Sequence, residues 1–291
     1  MKFTLKKIIH FPVIKIVLAI TICLGILIGI QNLITKPIIY YFINSKPIGD
    51  TIINYISVIV LLLSYFYFFK IYDKRKIKEL TKINLTTELL GGFLFGFLVL
   101  SLVILILYLL GYYTVNSISD FSYLLAPFSF LIIAALIEEV IFRLIIYRIV
   151  EKWLGTYLAL LIISIIFTVP HLLNDNVTLL SVLLLLTFGF AHSIMYTYTK
   201  SLWLPFAFHL GWNFAQPFYG SNLSGTEEGH IINANFDGPI LLIGSDFGIE
   251  DSILSIILLL IVCILFLKLS IRNNKIEKKK LQLSSAVKLN I

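Results

Sequence analysis

The chain has 291 residues, of which 59% are hydrophobic and only 13% charged, and its mean hydropathy is +0.96. Soluble domains lie nearer about 45–50% apolar and 25% charged, so an ordinary soluble globular protein is excluded. The net charge of +7 does not imply nucleic acid, because the basic residues cluster at the N-terminus, in one early loop and in the tail, where lipid headgroups are the expected partner. The apolar runs are continuous and do not alternate, which argues against a β-barrel. The expected fold is all-α, a polytopic membrane bundle of about eight transmembrane helices.

In chain order, a basic lead-in with Lys2, Lys6 and Lys7 precedes a first span over residues 13–34. An amphipathic stretch, 36–50, continues the helix and meets the interface. The second span, 51–72, ends in an aromatic belt, Tyr65 to Phe69. The run Asp73-Lys74-Arg75-Lys76-Ile77-Lys78, continuing to Lys82, reads as a solvated inner loop. The third span, 89–112, carries Gly91, Gly92 and Gly96, which permit close helix approach. The fourth covers 123–150 and ends in a tight turn at Glu151-Lys152-Trp153. The fifth, 156–171, ends in Phe167-Thr168-Val169-Pro170-His171, and the sixth covers 178–199. After a turn at Lys200 comes a short seventh span, 204–219, bracketed by Pro205 and Pro217. A loop over 220–251 is acidic and has no Lys or Arg. The eighth span, 252–269, leads into a basic, frayed tail. With eight spans both termini fall in the cytoplasm, as do nearly all the basic turns; only Lys36 and Lys46 lie on the other side. Cys23 and Cys263 sit singly in apolar segments, without metal-site or disulfide spacing.

Three charges, Glu138, Glu139 and Arg143, stand in the middle of the fourth span. At bilayer depth each costs about 2.5–3.5 kcal/mol, so such groups face a protein interior or a wet cavity. Glu139 and Arg143 are four apart and share a helix face. Glu138 lies about 100° round the helix and needs a partner from another span. On this span alone, an ion-pair cluster that fixes helix register explains the charges nearly as well as a general base does. His171 at the end of the fifth span, with Pro170 before it, and His209 and Asn213, four apart on one face of the seventh, add three groups able to donate or accept toward a single point. His192 in the sixth span is expected to pack or to support the site from behind. His10 and His230 lie outside the spans and are expected at the surface.

Glu-Glu-x-x-x-Arg, Phe-x-x-x-His and His-x-x-x-Asn, in that order and each on its own span, resemble the CAAX-protease and bacteriocin-processing (CPBP, or Abi) family of intramembrane glutamic endopeptidases. The resemblance covers about residues 126–260. It includes Ser201-Leu202-Trp203-Leu204-Pro205 before the third motif and Gly244-Ser245-Asp246-Phe247-Gly248-Ile249-Glu250 before the last span. It implies that Glu138, with His171, activates a water for attack on a peptide carbonyl. His209 and Asn213 would hold the oxyanion, and Glu139 and Arg143 would orient the site. The sixth span departs from the family's Gly-x-x-x-Gly: here Gly189 is followed by Ser193, with His192 beside it.

Three divisions follow: 1–125 with no recognised motif, a catalytic membrane core over 126–270, and a basic cytoplasmic tail over 271–291. No cofactor and no metal is expected. Two histidines and two glutamates could hold zinc, but there is no His-Glu-x-x-His, and Asn213 is a better oxyanion donor than metal ligand. Neither a serine nucleophile beside an intramembrane His nor the two related halves of a transporter are present. The competing reading is a bacteriocin-immunity or scaffold protein that binds a membrane partner without cutting it. The expected partners are a membrane-associated peptide or protein substrate and the lipid bilayer, with no nucleic acid. The Ile- and Lys-rich composition suggests a bacterial plasma membrane.

Overall fold

A computed structural model describes residues 10–119, 125–226 and 229–279. Five helices among them are long and apolar enough to cross a membrane: α1 (Pro12–Phe42), α2 (Lys46–Tyr72), α3 (Leu85–Leu109), α7 (Leu179–Thr199) and α10 (Ile253–Arg272). Three further helical runs pack among them. One begins as α4 (Leu125–Glu138), passes into a π-helical stretch, Glu139–Tyr147, and continues as α5 (Arg148–Leu154). The others are α6 (Thr156–His171) and α8 (Trp203–Tyr219), each only about 25 Å long at 1.5 Å per residue. The protein is therefore a multi-pass, all-α membrane bundle, and α6 and α8 fall short of the roughly 30 Å hydrocarbon thickness.

Small residues set the closest helix contact. α3 and α8 approach so nearly that a Cβ on Gly96 would lie 2.1 Å from the Phe208 carbonyl oxygen, and one on Gly211 would lie 2.1 Å from that of Phe93. Gly92 also faces α8, whereas Gly91, expected to share this role, faces open space. Gly189 of α7 rests against Ser164 of α6. These contacts bring α6, α7 and α8 round the π-helical stretch, every residue of which except Ile141 is buried.

Several boundaries differ from those expected. The helix after the fourth span runs on to Leu154, and the turn is made by Gly155 at φ +85°, a left-handed conformation open to glycine. The loop after α3 contains β1 (Tyr113–Ile118), paired antiparallel with β2 (Ile232–Phe236) across a bulge between Val115 and Ser117. The loop over 73–82 is not wholly solvated. Glu79 is buried, bonded by Arg75 Nη1 at 2.9 Å and by the Tyr65 hydroxyl, with Arg148 Nε at 3.7 Å. Burial would push the Glu79 carboxyl up, but the Arg75 hydrogen bonds and the Arg148 charge outweigh it and hold it at about 2. The start of the tail is docked rather than frayed: Thr156 N donates to Glu277 O at 3.0 Å. Glu227, Glu228 and the tail beyond residue 279 lie outside the described residues.

Candidate active site

Glu138 ends α4 at the mouth of the π-helical stretch, with its backbone still helical at φ −63° and ψ −46°. A π-turn is a recurrent device for re-aiming side chains at functional sites. Here it buries Glu139 and Arg143 completely, while Glu138 remains 29% exposed on its side chain and faces a cavity. That cavity measures about 290 Å³ and is lined by Glu138, His171, His209 and Asn213 among others. The three expected motifs, up to 75 residues apart in sequence, therefore meet in one place.

The convergence is specific to one atom. His171 Nε2 lies 3.8 Å and His209 Nε2 lies 3.9 Å from the same Glu138 oxygen, Oε2. Both separations are too long for a direct hydrogen bond and suit groups that share one small polar molecule. Each ring is held by its other nitrogen. His171 Nδ1 is 2.8 Å from the Phe167 carbonyl oxygen, four residues back on the same helix, so Nδ1 is the donor and Nε2 presents a lone pair. His209 Nδ1 is 2.8 Å from Glu139 Oε1. Glu139 thus serves two partners, since Arg143 Nη1 lies 3.1 Å from the same oxygen. Arg143 also stacks its guanidinium 4.7 Å above the Phe167 ring.

With Nδ1 donating to a carboxylate, His209 can donate from Nε2 only when the ring carries both protons. Glu139 is the group that fixes the orientation of the His209 ring. The expected oxyanion role of His209 therefore depends on Glu139 through a direct contact, a pairing that helical spacing could not show.

His192 is fully buried behind this set. Its Nδ1 is 2.8 Å from Phe188 O, and its ring centroid is 5.1 Å from that of His209. Glu139, His192 and His209 offer ligand atoms within 4.8 Å of one another, which is a possible metal cluster. The Arg143 guanidinium against the same carboxylate opposes a divalent cation there. Among the other histidines, His10 is exposed and contacts Tyr72, and His230 is only half-buried with Nε2 inaccessible.

The far wall of the cavity is made by residues with no expected role: Asn174, Leu223, Ser224, Thr226 and Glu250. Glu250 is buried and takes four donors, Trp212 Nε1 and Gln216 Nε2 at 3.0 Å each, Ser224 N at 2.9 Å and Ser224 Oγ at 2.6 Å. Burial pushes its carboxyl up, and the four donors only partly pull it back. It ties the segment before α10 to the loop over 221–226 and to the helix carrying His209 and Asn213. A second staple, Asn174 Nδ2 to Ser224 O at 2.9 Å, joins that loop to the end of α6. The sequence signal for this wall was the segment Gly244 to Glu250, which is part of the resemblance given above.

Fold and site together describe a polytopic helical membrane protein with a carboxylate–imidazole cavity set among its helices. Residues 120–215 match the family model described as type II CAAX prenyl endopeptidase Rce1-like. That segment contains all three motifs, and the match supports the resemblance to the CPBP family and points to CAAX-type protease chemistry. No curated protein and no solved structure matches the chain.

Proposed function

We propose that the chain is an intramembrane glutamic endopeptidase that hydrolyses a peptide bond of a membrane-associated protein or peptide. The observation that supports this most directly is the approach of His171 Nε2 and His209 Nε2 to one Glu138 oxygen, at 3.8 and 3.9 Å. A water between Glu138 Oε2 and His171 Nε2 donates one hydrogen to each. As it attacks the carbonyl carbon, its proton passes to Glu138. The carbonyl oxygen becomes an oxyanion that Asn213 Nδ2 and His209 Nε2–H stabilise. When the C–N bond breaks, Glu138 returns the proton to the leaving amine. Glu139 holds the His209 ring through Nδ1, and Arg143 holds Glu139 in place.

Comparing peptides from cells that carry wild-type protein with those from cells that carry Glu138→Gln tests this reading. Peptide termini present only with wild type, at equal protein abundance, are expected. Identical peptide sets with function retained would favour the immunity or scaffold reading. The Glu139–His192–His209 cluster gives the metal reading a definite site. Treating the purified protein with a strong chelator separates the two. Undiminished cleavage is expected, and loss restored by zinc would move the chemistry to that cluster.

A further inference from the structure

The two ends of the bundle differ sharply in charge, and the structure shows which residues share each end. At one end Lys15 Nζ bonds Asp73 at 2.6 Å, Lys200 Nζ bonds Glu151 at 2.7 Å, Leu202 N donates to Glu79 O at 3.0 Å, and Thr156 N donates to Glu277 O at 3.0 Å. These contacts gather the start of α1, the 73–82 loop, the α5–α6 turn, the α7–α8 turn and the tail into one basic face. It carries most of the Lys and Arg among the described residues, including Lys15, Arg75, Lys78, Lys152, Lys200 and Arg272. At the other end β1 pairs β2, Thr178 Oγ1 bonds Asp251 at 2.9 Å, and Asn174 bonds the Ser224 carbonyl. The described residues there include only two cations, Lys36 and Lys46, together with exposed Asp175, Asp237 and Asp246.

The cavity reaches from the middle of the bundle to the acidic end. Its lining from α4 is Phe130 to Glu138, within the first half of the continuous helical run that ends at Leu154. Its lining from α6 is Phe167 and His171 at the helix end, and that from α7 is the stretch Leu184 to Phe188 near its start. The remaining wall is His209 and Asn213 from the middle of α8, Asn174, the loop over 223–226 and Glu250. No lining residue belongs to the basic face. Basic loops are retained in the cytoplasm during insertion, whereas acidic residues contribute little to orientation. Anionic lipid on the cytoplasmic leaflet adds about 1 kcal/mol per nearby Lys or Arg.

We infer that the cavity opens on the extracytoplasmic side of the membrane, and that the substrates are peptide segments presented there: exported peptides, or the outward juxtamembrane stretches of membrane proteins. The inference rests on the hydrolase reading for the word substrate and on charge and packing for the side. A chain end lying in the cytoplasm would have to cross the basic face and about half the bilayer to reach Glu138.

Single cysteines placed on a background without Cys23 and Cys263 test this independently of activity. Asp246→Cys marks the cavity end and Lys78→Cys the basic end; both positions are exposed. In spheroplasts, a membrane-impermeant maleimide is expected to label Asp246→Cys, and to label Lys78→Cys only after permeabilisation. Labelling of Lys78→Cys from outside, or of both equally, overturns the inference and leaves the hydrolase reading intact. External labelling of Asp246→Cys with unchanged function in Glu138→Gln upholds the orientation while the hydrolase reading fails. An impermeant peptide cleaved by right-side-out but not inside-out vesicles would join the two.

Discussion

Glu139 and Arg143 form a buried ion pair whose energetics can be separated with a mutant cycle. Both side chains are fully buried, with Nη1 to Oε1 at 3.1 Å. Removing one partner of such a pair costs about 3–5 kcal/mol, because a charge is left unpaired, whereas removing both costs little. Arg143→Met leaves Glu139 with one donor, His209 Nδ1 at 2.8 Å, which places the loss near the lower end, about 3 kcal/mol. Glu139→Gln leaves the guanidinium with little beyond the Phe167 face, which places the loss near the upper end, about 5 kcal/mol. The double variant leaves neither charge unpaired and is expected to lose less than either single, so its loss should fall far short of the roughly 8 kcal/mol sum of the two. Thermal unfolding in detergent micelles, followed by tryptophan fluorescence, measures all three. Cleavage should stay lost in the double variant, because His209 loses its carboxylate. Strictly additive losses would mean that the two charges do not depend on each other, and the support assigned to Glu139 would fail.

Asn213→Ala should lower kcat by about 10²–10³-fold at normal abundance if its amide meets the oxyanion; a change in KM alone would assign it to substrate binding instead. Gly211→Ala should cost about 1–3 kcal/mol or more, since its Cβ would lie 2.1 Å from Phe93 O, whereas Gly91→Ala, which faces open space, should change stability by less than about 0.5 kcal/mol. Equal effects in the two would contradict the α3–α8 contact. Glu79, held at about 2 from an ordinary 4.5, contributes of order 3 kcal/mol that is fully present above about pH 4.5 and fades as pH falls toward 2. Acid melts of wild type and Glu79→Gln should therefore converge at low pH, and a gap that stays constant down to about pH 2 would show that the stability does not come from the ionised Glu79.

Much of the site was legible because the membrane makes polar residues expensive. Glu138, His171, His209 and Asn213 stand out in apolar runs, and their order matches a known set of motifs. The rest depends on partners brought in from elsewhere in the chain. Helical spacing paired Glu139 with Arg143 but could not reveal His209, 70 residues away, on the same oxygen. A π-helical stretch leaves no mark on composition, so the complete burial of Glu139 and Arg143 beside a half-open Glu138 was not foreseeable. Arg75 and Glu79 read as solvated because a charge run looks alike whether or not Arg148 and Tyr65 reach it. The far wall comes from loops whose contacts, such as Ser224 with Glu250, are set by tertiary structure rather than periodicity.

The convergence on Glu138 is tested most directly with purified protein in lipid nanodiscs, comparing cleavage of one substrate peptide by wild type and by Glu138→Gln of matched thermal stability. The expected result is a loss of about 10²–10⁴-fold, the worth of a general base. Cleavage by Glu138→Gln at the wild-type rate would contradict it, whatever became of the neighbouring histidines.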